Sequence, residues 1–188
     1  MKVLERLFEA GASAVGFDLL FEAPSSHGTD DDAAFAGALR RYRDRVALGV
    51  QVLSGRGPVA SMSLLDLTPA LQPADQSLNR GLLNGSPDPD GVIRRRPGHS
   101  AAEMRQHLGS SVPDGLAKTL LELANADINL DDKFLDLLDP YGPPGTIPTI
   151  SIWELLDANA FLTIKKSGVL TDATVLVGPT AAVFQDLH

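Results

Sequence analysis

The run Gly11-Ala12-Ser13-Ala14-Val15-Gly16-Phe17-Asp18-Leu19-Leu20-Phe21 decides the fold. From Ala14 to Phe21 it is short and almost wholly apolar, with Gly11 before it and Pro24 after it. Alternating apolar and polar residues would mark a strand with one wet face. A continuous apolar run marks a strand covered on both faces, the kind found in parallel sheets. Just upstream, Val3, Leu4, Leu7 and Phe8 recur at helical spacing, and Gly11 falls where a helix stops. Helix followed by buried strand is half of a βαβ unit. The helix is already under way at residue 2 without an N-cap, so a strand is expected before residue 1 and the chain is expected to be a piece of a longer one.

Downstream the alternation continues. Thr29 and Asp32 stand at capping-box spacing, and Asp30, Asp31 and Asp32 suit the positive start of a helix. Phe35, Leu39 and Tyr42 would form that helix's buried stripe, and Arg40, Arg41, Arg43 and Arg45 gather near its end. Val46 to Val52 is a second strand. Residues 54–80 lose periodicity and gain Gly, Pro and Ser, which predicts a long irregular surface excursion. Leu82 to Arg94 reads as two short strands around a turn. Ser111-Val112-Pro113-Asp114 opens a helix with Leu116, Leu120 and Leu123 on one face. Ser151 and Glu154 form a capping box before Ile152, Trp153, Leu155 and Leu156, and Thr174 to Val177 is the last strand, ended by Gly178. Strand and helix in alternation predict an α/β layered domain: a mostly parallel, mixed sheet flanked by helices. With 188 residues, the chain is expected to form a single domain over 1–188.

Composition narrows the function. The net charge is −8, from 24 Asp plus Glu against 16 Lys plus Arg, so the basic footprint of a nucleic-acid binder is missing. The same charge suits anionic lipid surfaces poorly. Cysteine is absent, which excludes disulfides, thiol nucleophiles and Cys-ligated metal. No apolar run approaches the ~20 residues that cross a bilayer. The most apolar candidate, Val175 to Phe184, is broken by Gly178, Pro179 and Thr180.

No catalytic set emerges from the residues, and no metal ligand or cofactor site is assigned. His27, His99, His107 and His188 are scattered, and neither a phosphate-binding glycine loop nor a G-x-S-x-G elbow occurs. Ser86, Asp88, Asp90 and Gly91 occupy calcium-loop positions, but Pro97 stands where the bidentate Glu belongs, so a turn with backbone-capping acids is the simpler reading. Asp18 is different. A carboxylate inside an apolar strand costs several kcal/mol unless it reaches water or a partner. It is expected either at the strand's exposed carboxyl end or paired with a cation such as an arginine of Arg94-Arg95-Arg96.

Four segments in order carry a resemblance: Gly11-Ala12-(x)₂-Val15 through Phe21, Asp88-Pro89-Asp90-Gly91-Val92-Ile93-Arg94, Tyr141-Gly142-Pro143, and Val175-Leu176-Val177-Gly178-Pro179-Thr180-Ala181 with Asp186. Together they resemble the type-2 CHASE domain, a sensory module of bacterial membrane receptors. The family pattern also has an upstream strand with an Ile-Asp-Glu-like segment, absent here, and membrane helices beyond the last segment. The resemblance implies an extracytoplasmic, non-enzymatic input domain, touching the membrane only through helices outside this segment. Its output partner would be a cytoplasmic adenylate or guanylate cyclase in the parent chain, or alternatively a histidine or Ser/Thr kinase. Its ligand would be a small molecule or a protein of unknown identity. A second copy of the chain is a further candidate partner, and nucleic acid is not.

In such a sheet a ligand pocket lies beyond the carboxyl ends of the strands. Asp18, Tyr141, Gly178 and Thr180 are expected there, with Arg94 as a charged contact. The alternative from another class is a soluble metal-dependent hydrolase using Asp18 with Asp88 or Asp90.

Overall fold

The structure, a computed structural model, describes residues 2–54, 61–72, 78–85, 89–90, 97–125, 142–143 and 145–179. In chain order the elements are α1 (Lys2–Glu9), β1 (Ala14–Leu20), α2 (Thr29–Arg41), β2 (Val46–Ser54), β3 (Met62–Leu65), β4 (Asn79–Leu82), α3 (Pro97–Leu108), α4 (Leu116–Leu123), α5 (Ile152–Leu156), α6 (Ala158–Ser167) and β5 (Thr174–Val177). β1 lies between β2 and β5, parallel to both. β4 runs parallel to β2 along Ala47 to Val50, and β3 pairs antiparallel with the far half of β2. The result is the mostly parallel, mixed sheet that the apolar runs predict.

β1 shows why the chain folds this way. Its first four residues are buried, and their side chains alternate between two helical layers. Val15 and Phe17 join Leu4 and Leu7 of α1, Leu39 of α2 and Phe161 of α6 in the principal core. Ala14 faces the opposite way, with Ala47, Leu116 and Leu120 under α4. The two layers differ in depth because the side chains do. Aromatic rings fill the α1/α2 side, where Phe35 and Phe21 sit within 5.8 Å of the Phe17 ring and Phe8 stacks on Tyr42 at 4.5 Å. On the other side α4 rides directly on backbone: a Cβ on Gly81 would stand 2.4 Å from the Leu116 Cα. Only a residue without a side chain admits so close an approach.

Several local expectations change. The helix α2 is not capped by Thr29. Gly28 precedes it, and Asp32 turns back to accept the Ser25 N–H through both oxygens at 3.0 and 3.1 Å. Asp31 does the same with the Ser25 hydroxyl at 2.7 Å. The acids thus fasten the loop after β1 to the helix rather than closing a capping box. The excursion over 54–80 is not irregular throughout, because Met62 to Leu65 adds to the sheet and β4 begins at Asn79. Leu67 and Leu71 between them are buried. The first of the two strands expected after Leu82 lies earlier, as β4, and the second falls on residues 91–96, outside the description.

The helix α3 has no counterpart in the sequence reading, and α5 breaks at Asp157, whose carboxylate accepts from Asn159 and Ala160 N–H to start α6. The Ser151/Glu154 pair behaves as expected, with Glu154 Oε2 accepting the Ser151 N–H at 2.8 Å.

Candidate functional site

β1 and β5 are in register through Phe17 and Val177, so the next residues, Asp18 and Gly178, emerge side by side. On its other edge β1 slips: Phe17 faces Leu48, yet Leu20 faces the very next residue, Gly49. Asp18 and Leu19 are therefore displaced from the β2 ladder. Such bulges re-aim a side chain at the end of a strand. Of the two expectations for Asp18, the exposed strand end holds, and the pairing with an arginine of Arg94-Arg95-Arg96 falls on residues outside the description. The buried stretch ends at Phe17, and Asp18 is exposed, at the carboxyl end of the strand.

Gly178 completes the arrangement. A Cβ there would lie 3.2 Å from the Asp18 Cβ and 3.5 Å from both its carbonyl oxygen and Oδ2. The glycine lets the Asp18 side chain rest against bare backbone. Two of the five residues expected at the site are thus brought together. Arg94, Tyr141 and Thr180 lie outside the described residues.

The topology singles out this spot. From β1 the chain crosses over α2 to β2 on one side, while β5 flanks β1 on the other. The crevice between β1 and β5 is a switch point of the parallel sheet, where open α/β folds place their ligands. A cavity of about 540 Å³ runs along β5 from this crevice, bordered by Asp18 and Gly178 at one end and by Val3, Leu7, Ile150 and Leu155 along its wall. That volume falls within the ~300–1,000 Å³ of small-molecule sites. A second cavity, about 370 Å³, opens on the opposite face between β5 and α4, and Asp18 borders it too. In both, among the described residues, Asp18 is the one ionisable group beside apolar and small polar neighbours.

Other charged clusters among the described residues hold structure. Arg45 reaches the carbonyls of Ala12 and Ser13, pinning the turn into β1, while its guanidinium lies 4.3 Å over the Phe8 ring. Arg6 bonds the carbonyls of Leu155 and Asp157 and lies over Phe161, tying α1 to α5 and α6. Asp114 accepts from Arg105 at 2.7 Å and lies 3.0 Å from the Lys118 ammonium. Burial pushes its carboxyl up, but the two cations outweigh that and hold it below the ordinary value.

Asp90, one of the acids weighed for a metal, lies in a turn at the surface, and Asp88 falls outside the described residues. Among the described residues no three metal-ligating side chains cluster. Nor, among them, is any helix long and apolar enough to cross a membrane.

The fold and crevice define a small α/β module with a strand-end pocket and no catalytic set assigned to it. The chain belongs to the CHASE2 domain family, whose model matches residues 1–188. CHASE2 domains are sensory, non-catalytic and generally extracellular parts of signalling receptors. No curated protein and no solved structure matches the chain.

Proposed function

We propose that this domain is the extracytoplasmic input of a bacterial transmembrane receptor, binding its ligand at the Asp18–Gly178 crevice and regulating a cytoplasmic adenylate or guanylate cyclase. The observation that carries the reading is the switch point itself. Two adjacent parallel strands end together there, a carboxylate emerges at a bulge, and an apolar cavity of ligand size begins beside it. The family's sensory, non-catalytic character favours this over a hydrolase built on Asp18.

A sensor works only if its ligand binds two states of the domain unequally. The crevice suits that requirement because it lies between β5, the last strand of the sheet among the described residues, and the strand that leads to the rest of it. A ligand held by Asp18 on β1 and by Gly178 after β5 would favour one spacing of the two strand ends. Arg94, Tyr141 and Thr180 complete the proposed contact set.

Reading the gene on both sides of this segment tests the proposal. The expected result is at least one membrane-spanning helix in the same reading frame and a cyclase domain beyond it. A frame that opens at Met1 and closes after His188 would overturn it.

A further inference from the structure

β4 ends at Leu82, but its pairing with β2 runs on. The Leu83 N–H donates to the Val50 carbonyl at 2.9 Å. The next contact is made by a side chain. Asn84 Oδ1 accepts the Val52 N–H at 2.6 Å, and Asn84 Nδ2 donates to the Val52 carbonyl at 2.9 Å. The carboxamide stands where a strand's peptide groups would stand. Val52 is 4% exposed and packs with Leu82, Ala101 and Val112. Backbone groups buried in this way need partners. A carboxamide, with an oxygen on one arm and N–H donors on the other, satisfies both at once.

The residue that follows is Gly85. Of the five asparagines in the sequence, Asn84 is the one followed by glycine. In such a pair no side chain shields the glycine nitrogen, and the backbone turns freely about it. We propose that Asn84–Gly85 is a site of spontaneous deamidation, which the fold holds shut through the clamp on Val52. In the reaction the Gly85 nitrogen gives up its proton and bonds to the Asn84 Cγ. The Cγ–Nδ2 bond breaks, and Nδ2 departs as ammonia with that proton. Water then opens the cyclic imide at either carbonyl, leaving an aspartate or an isoaspartate. Water is the sole co-reactant.

While both arms of the amide are bonded to Val52, the group is not free to turn its carbon toward the Gly85 nitrogen. The reaction waits on a local opening at this end of β4. Its product cannot restore the clamp. A carboxylate has acceptors and no donor, so one of its oxygens would face the Val52 carbonyl. An isoaspartate would also add a carbon to the main chain. An opening that is followed by reaction is therefore irreversible. The joint it loosens is shared with α4, because the Leu82 N–H, two residues earlier, donates to the Asp114 carbonyl at the entry to that helix.

The test incubates the wild-type protein at neutral pH, in buffer and in a denaturant that unfolds it. Peptide mass spectrometry reads each asparagine, and enzymatic methylation reads isoaspartate. Asn79, Asn125 and Asn159 are internal references. In denaturant Asn84 should deamidate fastest of the four. In buffer its rate should fall by about tenfold or more, as for a reaction confined to a minor open state. The urea midpoint of Asn84→Asp should lie below that of the wild type. Equal rates in buffer and denaturant would mean that Val52 holds nothing shut. No reaction in either would remove the site, and an Asn84→Asp midpoint equal to the wild type would mean that the clamp is indifferent to the amide. Any one of these results overturns the proposal, and the rate comparison needs no variant.

Discussion

Asp18 rests against the bare backbone of Gly178, so closely that a Cβ on the glycine would stand 3.2 Å from the Asp18 Cβ. The contact joins the ends of two strands whose register partners, Phe17 and Val177, stand 160 positions apart in sequence.

 A contact of such long range forms only when the whole sheet is assembled.

Gly178→Ala places a methyl group inside that contact, and Gly178→Val adds two more carbons. Overpacking of this kind typically costs ~1–3 kcal/mol. Gly178→Ala is expected near the low end and Gly178→Val near the high end, measured as the loss of unfolding free energy in urea. Equal stability of all three proteins would contradict the geometry.

The approach of α4 to β4 is tighter still. Gly81→Ala would set a Cβ 2.4 Å from the Leu116 Cα, and backbone cannot swing aside as a side-chain tip can. The expected loss is about 3 kcal/mol or more. Circular dichroism during urea unfolding would register it as a lower midpoint.

Asp157 starts α6 by accepting two backbone N–H groups. Asp157→Ala should cost about 1 kcal/mol, and Asp157→Asn, which keeps a capping oxygen, much less. If the two variants unfold alike, the cap does not contribute as described.

Asp114 supplies a pH dependence. Its carboxyl is held below the ordinary 3.8 by Arg105 and Lys118, so the folded state binds its proton less readily than the unfolded chain does. The stabilisation is therefore present above pH 3.8 and fades as pH falls through the lower, folded value. Asp114→Asn should flatten this part of the acid limb of a stability-against-pH curve. An unchanged limb would contradict the assignment.

How much of this was legible in the sequence depends on how strongly each segment is patterned. β1 and β5 are apolar runs bordered by glycines and could be read as strands directly; the first four residues of β1 are buried as expected of such a run, whereas in β5 Val177 alone is. The capping box at Ser151 and Glu154 needs only local spacing. The one at Thr29 and Asp32 has the same spacing but fails, because Ser25 offers the carboxylate nearer donors. The helix α3, Pro97 to Leu108, was missed because its apolar stripe, Ala101, Met104 and Leu108, is sparse and set among polar residues, and only its packing with Val112 makes it a core face. β3 and β4, four residues each, are too short for a period to show. At the site, Asp18 stood out as a charge in an apolar strand. Its displacement by a bulge did not, since register is a property of two strands together.

The central claim, that the Asp18–Gly178 crevice is where the domain binds its ligand, is tested most directly by thermal shift. A library of small metabolites would be screened against the wild-type domain and against Gly178→Val. A ligand present at a hundred times its Kd adds about 2.7 kcal/mol, roughly 5–10 °C for a domain of this size. The account predicts compounds that raise the wild-type Tm by that order and leave Gly178→Val unmoved. Compounds that raise both proteins equally would place the binding site elsewhere and contradict it.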